Sequence, residues 1–153
     1  MLKRIIVLAV AVGLLCSAAM AGEEERANKK EAEAMVKKAV AAYKAGGEKT
    51  LADFTAPSKK FVSKDLYVVA YDLSGKCLAH GQNAKQVGKD LIGMKDPDGK
   101  AFVKERIDLA KSKGTFWQEY KFTDPLTKKV LPKVMYCEKA DDKAVICGGV
   151  YKE

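Results

Sequence analysis

The apolar residues of this chain change period partway along, and that switch constrains the fold more than any other feature. Ala32, Met35, Val36, Ala39, Val40 and Tyr43 recur at spacings of three, four and seven, the stripe of an amphipathic helix. Glu23, Glu24 and Glu25 open this segment, Lys37, Lys38 and Lys44 fall later, and Gly46 and Gly47 end it, the polarity that a helix dipole favours. A second short helix is predicted through Leu51 and Phe54, stopping before Pro57, because the residue ahead of a proline is driven out of the helical region. From Leu66 the pattern becomes that of strands. Leu66 to Tyr71 is rich in β-branched and aromatic residues, Asp72 to Gly75 reads as a turn, and Lys76 to His80 returns, together a hairpin.

A Gly- and Asp-rich loop from Gly81 to Gly99 leads into Ala101, Phe102, Ile107, Leu109 and Ala110 at helical spacing, closed by Gly114 just past Lys111 and Lys113. Phe116, Gln118, Tyr120 and Phe122 then alternate with Trp117, Glu119 and Lys121, and two further strands, Val130 to Lys139 and Ala144 to Tyr151, form a hairpin about Asp141 and Asp142. Strands adjoining in sequence are joined by short turns and should pair antiparallel. The expected fold class is α+β, a long N-terminal helix packed on a five-stranded antiparallel sheet. The one linker-like stretch is Ala56 to Lys64, and there is no internal repeat.

Ahead of the helix, Lys3 and Arg4 precede an apolar run from Ile5 to Leu15, followed by small residues ending in Ala19, Met20 and Ala21. This is the order of a secretory signal peptide, and the run is short for a membrane span. Residues 1–21 are expected to be removed, retention as an anchor being the alternative. Leu15 stands before Cys16 where a lipidation signal wants a small residue. The remainder, residues 22–153, is expected to be one domain in the periplasm or outside the cell, with no later stretch apolar enough to cross a bilayer. Loss of Lys3 and Arg4 lowers the net charge from +8 to +6, spread over lysines interleaved with acids, and leaves Arg26 and Arg106 as the only arginines. That is a solvated basic surface, without the basic block of a nucleic-acid site.

Few residues suggest reaction chemistry. His80 is the only histidine, there is no Gly-x-Ser-x-Gly elbow, and catalysis is not expected. Cys77 and His80 invite a metal reading, but positions three apart on a strand point to opposite faces and no further ligand lies at useful spacing. Asp96, Asp98, Gly99 and Glu105 fall at calcium-loop positions, yet Met94 occupies the first, so a turn and helix cap is the better reading. No cofactor is expected. A three-residue loop at Asp141 to Lys143 would set Cys137 opposite Cys147, close enough to bridge; a loop one residue different would leave buried thiols, and both readings stand. His80, Trp117, Tyr120, Lys133 and Tyr136 combine aromatic bodies with polar tips, and adjoining strands could gather them into a concave site or into an ordinary core.

The stretch Ala70 to His80 (AYDLSGKCLAH), then Val87 to Leu91 (VGKDL) and Lys95 to Val103 (KDPDGKAFV), resembles the single Cache domain of bacterial extracytoplasmic sensors. Lys113 to Pro125 (KGTFWQEYKFTDP), Lys133 to Tyr136 (KVMY) and Gly148 to Tyr151 (GGVY) continue the likeness to the end of the chain. The resemblance implies a PAS-like sheet with a pocket on one face that binds a small molecule, often a short carboxylate. It assigns His80, Trp117, Tyr120, Lys133 and Tyr136 to that pocket. Strand alternation sets Trp117 and Tyr120 on opposite faces, so at least one of them is open to a core role instead.

Two features depart from the pattern: Gly81 stands where the family often has proline, and the sequence ends at Glu153, where family members usually continue to a second membrane span and an output. The expectation is therefore a periplasmic module that binds a small anionic metabolite and works with a separate membrane-bound sensor or transporter. The alternative is a structural or protein-interaction domain that keeps the fold without a ligand.

Overall fold

The computed structural model describes residues 25–152; the expected signal segment, residues 1–21, lies outside them. Helix α1 spans Lys29–Gly46 and starts at a capping box, in which the Asn28 side chain accepts from the Glu31 backbone N–H while the Glu31 carboxylate accepts from that of Asn28. Its buried stripe is Ala32, Val36, Ala39, Val40 and Tyr43. It ends at Gly47, whose φ of 65° is left-handed and favours glycine. The short helix expected through Leu51 and Phe54 is a 3₁₀ turn over Gly47–Ala52, with Phe54 buried just beyond it.

The strands are β1 (Val62–Ser63), β2 (Leu66–Tyr71), β3 (Cys77–His80), β4 (Thr115–Thr123), β5 (Val130–Lys139) and β6 (Val145–Tyr151), and helix α2 (Phe102–Lys113) stands between β3 and β4. The sheet runs β1-β2-β6-β5-β4, with β3 also on β2, and every pairing is antiparallel. The chain is α+β as the periodicity implies, with the five expected strands and one more. The extra strand, β1, is two residues long and sits in the stretch read as a linker, too short to show any alternation.

Each face of the sheet is covered. On one, α1 packs over Val68, Ala70, Tyr136 and Ile146. On the other, α2 and the loop before it cover Tyr67, Val69, Tyr71, Tyr120, Met135 and Cys137. Every residue of β2 and β6 is buried, as expected of strands sandwiched between two layers. Cys137 faces Cys147 in the β5–β6 register, and the two are disulfide-bonded. Cys77 is a buried free thiol.

Two glycines of β6 set how closely its neighbours approach, Gly148 toward α1 and Gly149 toward β5. A Cβ on Gly148 would lie 3.1 Å from a methyl of Val36 on α1, and one on Gly149 would lie 2.6 Å from the Val134 carbonyl oxygen and 3.1 Å from Cε of Lys133. The second collision is with backbone, which cannot swing aside. Gly149→Ala is therefore expected to destabilise the protein by about 2 kcal/mol or more, read as a lowered urea midpoint, whereas Gly93→Ala, with nothing within 4 Å of its added Cβ, serves as the neutral control. An unchanged midpoint for Gly149→Ala would contradict this account of the β5–β6 contact.

Candidate functional site

Alternation along β4, β5 and β6 turns Tyr120, Phe122, Lys133, Met135, Gly149 and Tyr151 toward the α2 side of the sheet. Lys133 is fully buried there. Its Nζ donates to the Tyr151 hydroxyl at 3.3 Å and lies 3.9 Å from the centre of the Tyr67 ring and 4.6 Å from that of Tyr151. No carboxylate among the described residues pairs with it. Burial, reinforced by the charge of Arg106, pushes its pKa well below the usual lysine range, and Asp65 and Asp124 offset this only in part.

His80 closes β3 beside this ammonium. Its Nδ1 accepts from the backbone N–H groups of Gln82 and Asn83 at 3.2 and 3.1 Å, which in the neutral ring leaves the proton on Nε2. The ring stacks on Tyr67 with centroids 5.3 Å apart. Burial, then the charges of Lys133 and Arg106, lowers its pKa from 6.5 to about 4. Tyr120 is buried against Phe102, ring centres 4.4 Å apart, and its hydroxyl donates to the Met135 sulfur.

Trp117 and Tyr136 stand elsewhere. They face each other across β4 and β5 on the α1 side of the sheet, ring centroids 5.1 Å apart, with Lys29 above Trp117 and the Tyr136 hydroxyl donating to Glu138 at 2.6 Å. The five side chains that the sequence assigned to one pocket thus divide. His80, Tyr120 and Lys133 share a side, and Trp117 and Tyr136 lie behind the sheet, because each is three residues from a pocket-side residue of its own strand.

A cleft of about 410 Å³ opens on the Lys133 side, between the loop after β3 and the β4–β5 turn. Tyr67, His80 and Phe122 form its apolar part, and Gln82, Asn83 and Asp124 are among its polar walls. Tyr67 and Phe122 are also rings against which the Lys133 ammonium packs, Phe122 at 5.8 Å. Asp124 is fixed from outside: Arg26, just before α1, donates to both of its oxygens at 3.3 and 2.9 Å and also reaches Asp65. Although burial works against the charged form, the hydrogen bonds from Arg26, Thr127 and the backbone hold the Asp124 carboxyl far below the usual carboxylate range.

Arg106 on α2 is a second wholly buried cation, which the sequence reading counted but did not place in the site. The signal was present, since it falls within the buried stripe of Phe102, Val103, Ile107 and Ala110, where a helix otherwise carries apolar residues. The calcium-like loop is a turn: Asp96 Oδ1 accepts from the backbone of Asp98 and Lys100, and its Oδ2 from that of Lys121. Among the described residues no group of three or more His, Cys, Asp or Glu side chains could hold a metal, and no helix is long and apolar enough to cross a membrane.

The family model for single Cache domain 2 matches residues 8–153. A sensor histidine kinase, MctS, of Rhizobium johnstonii is 32% identical over 89 residues, which is 58% of this chain and 19% of that protein. Among solved structures, a methyl-accepting chemotaxis protein from Vibrio parahaemolyticus is similar with a TM-score of 0.68 and 25% identity, over 80% of this chain and 87% of that one. A Cache chemosensory domain described for its carboxylic acid recognition shares the fold, with a TM-score of 0.63 and 24% identity over 81% of this chain and 88% of that one.

The placement of His80 makes a pH prediction. Because the folded-state pKa lies below the unfolded value, the unfolded chain binds the extra proton between them. The stability this group contributes is complete above about pH 6.5 and is lost as the pH falls toward 4, by about 3 kcal/mol in all for a shift of this size. Denaturant unfolding between pH 7 and 4.5 should show the decline, and His80→Gln should flatten it. The chain has a single histidine, so its imidazole NMR signals titrate alone; a midpoint at or above 6.5 would refute the buried neutral ring.

Proposed function

The chain belongs to the single Cache domain 2 family, and on that premise we propose that it is a periplasmic sensing module whose α2-side cleft captures a small carboxylate and reports it to a separate membrane-bound sensor or transporter. The observation that carries this reading is Lys133. An ammonium wholly buried among tyrosine rings, with a phenol as its only hydrogen-bond partner among the described residues, is expensive unless an anion completes it. A carboxylate supplies that charge and accepts from the ammonium and from the Nε2–H of neutral His80, while the aromatic rings exclude water. The chemistry asked of these groups is binding rather than bond making. The carboxylic acid recognised by the similar chemosensory domain and the sensor-kinase relative support the ligand class and the kind of partner.

In a thermal-shift screen of the purified full chain against short carboxylates, amino acids and amines, a carboxylate at a hundred times its Kd adds about 2.7 kcal/mol of stability. A clear rise in melting temperature is expected for carboxylates and is expected to vanish in Lys133→Met, which removes the charge while keeping most of the side-chain volume. Silence across the library from a cooperatively melting protein would favour the other reading, an interaction domain without a ligand.

A further inference from the structure

Arg106 raises a question that Lys133 alone does not. Its Nε donates to Gln118 Oε1 at 3.1 Å, and its Nη2 is the one buried side-chain nitrogen or oxygen among the described residues with no hydrogen-bond partner. The guanidinium lies 5.1 to 5.5 Å from the ring centres of Tyr71, Tyr120 and Phe102, whose faces attract a cation without neutralising it. The acid linked to it by hydrogen bonds, Glu105, is joined through the Gln118 amide, whose Nε2 donates to that carboxylate at 2.6 Å; the Arg106 charge also reaches Glu105, but Glu105 is already paired with Lys100. The two acids whose charge reaches Lys133, Asp65 and Asp124, are paired with Arg26. Two buried cations therefore stand on one side of the sheet, and every acid among the described residues whose charge reaches them is already paired with another cation.

The same aromatic group joins them. Tyr120 is the cross-strand partner of Lys133 and lies under Arg106. The Phe122 ring, which lines the cleft, is 5.8 Å from the Lys133 ammonium and 5.9 Å from the rings of both Phe102 and Tyr120. Lys133 and Arg106 are both fully buried behind the cleft wall, and Phe122 is the wall residue that packs against the first and, through Phe102 and Tyr120, connects to the second. We propose that Arg106 is the second charge partner of the site and that the cleft takes a short dicarboxylate, one carboxylate on Lys133 and the other on the unpartnered Nη2 of Arg106. This rests on the carboxylate reading above and narrows its ligand class: a monocarboxylate would leave one buried cation uncompensated, and a dicarboxylate leaves none.

Isothermal titration of the purified full chain with malonate, succinate and glutarate, each set against propionate, butyrate or valerate of the same carbon number, tests this. At least one dicarboxylate is expected to bind about tenfold or more tighter than its matched monocarboxylate, the scale of one charge-assisted hydrogen bond. Arg106→Met is expected to bring the two classes level, Lys133→Met to weaken both, and Arg106→Lys to keep part of the preference. Removing an uncompensated buried charge is also expected to raise the melting temperature of the unliganded Arg106→Met protein, where a structural cation would lower it. Monocarboxylates binding as tightly as dicarboxylates to the unaltered protein, or the preference surviving in Arg106→Met, would overturn the proposal and leave the carboxylate-sensing function standing. Binding of neither class would remove both. The comparison on the unaltered protein decides the matter even where a variant does not fold.

Discussion

Two fully buried carboxylates, Asp65 and Asp124, share a single guanidinium, Arg26, and the rest of the architecture depends on that arrangement. Asp65 lies between β1 and β2, where it also accepts from the backbone N–H of Ala27 and of Tyr151. Asp124 lies in the β4–β5 turn, where it accepts from the Leu126 and Thr127 backbones and the Thr127 hydroxyl. One cation thus fastens the approach to α1, the last residue of β6 and one wall of the cleft. Removing Arg26 would take the shared cation from two carboxylates buried out of water, which is far more costly than never having buried the set. Because these acids are fully engaged, they are poor partners for the ammonium nearby.

The electrostatics of the α2 side follow from that division. The buried negative charge of Asp65 and Asp124 is engaged by Arg26, while the rest of the interior on this side keeps Lys133, Arg106 and a neutral His80. The hydroxyls do not restore the balance. Tyr151 accepts from Lys133 but donates to the Thr123 carbonyl, and lies 3.5 Å from the Tyr67 hydroxyl. This network orients donors and rings without supplying an anion. His80 fits the same scheme, since two backbone N–H groups saturate its Nδ1 and commit its remaining donor to the other edge of the ring.

Most of the fold was legible because it rests on long periodic segments. The α1 stripe and the β2–β3 and β5–β6 hairpins each follow from spacing, whereas the loop length that sets Cys137 opposite Cys147 was open until the fold supplied the register. What escaped was short or three-dimensional. β1 has two residues and no period, and nothing in the sequence says that Arg26 will meet acids at positions 65 and 124. The site was legible in part. Family motifs named residues on β3, β4 and β5, but motif strings do not carry side-chain direction, and the alternation noted for Trp117 and Tyr120 applies equally to Lys133 and Tyr136. Applied to both pairs, it divides each of them between the two faces, while the β4–β5 register and the place of His80 on β3 come from the fold.

Arg106 shows why residue type alone misled. In a helix an arginine usually signals the solvated face, and a count of arginines treats it as surface charge. Its position says otherwise: it follows Phe102 by four and Val103 by three, so the helix that buries those side chains buries the guanidinium with them. A charge at a core position is a cost that folding alone gives no reason to bear, because an apolar residue of similar volume would pack there without it. Such a cost is reasonable where the charge acts on something outside the chain. Where sequence pattern and residue chemistry disagree, as they do at Arg106, the disagreement points to function more directly than the motifs that agree.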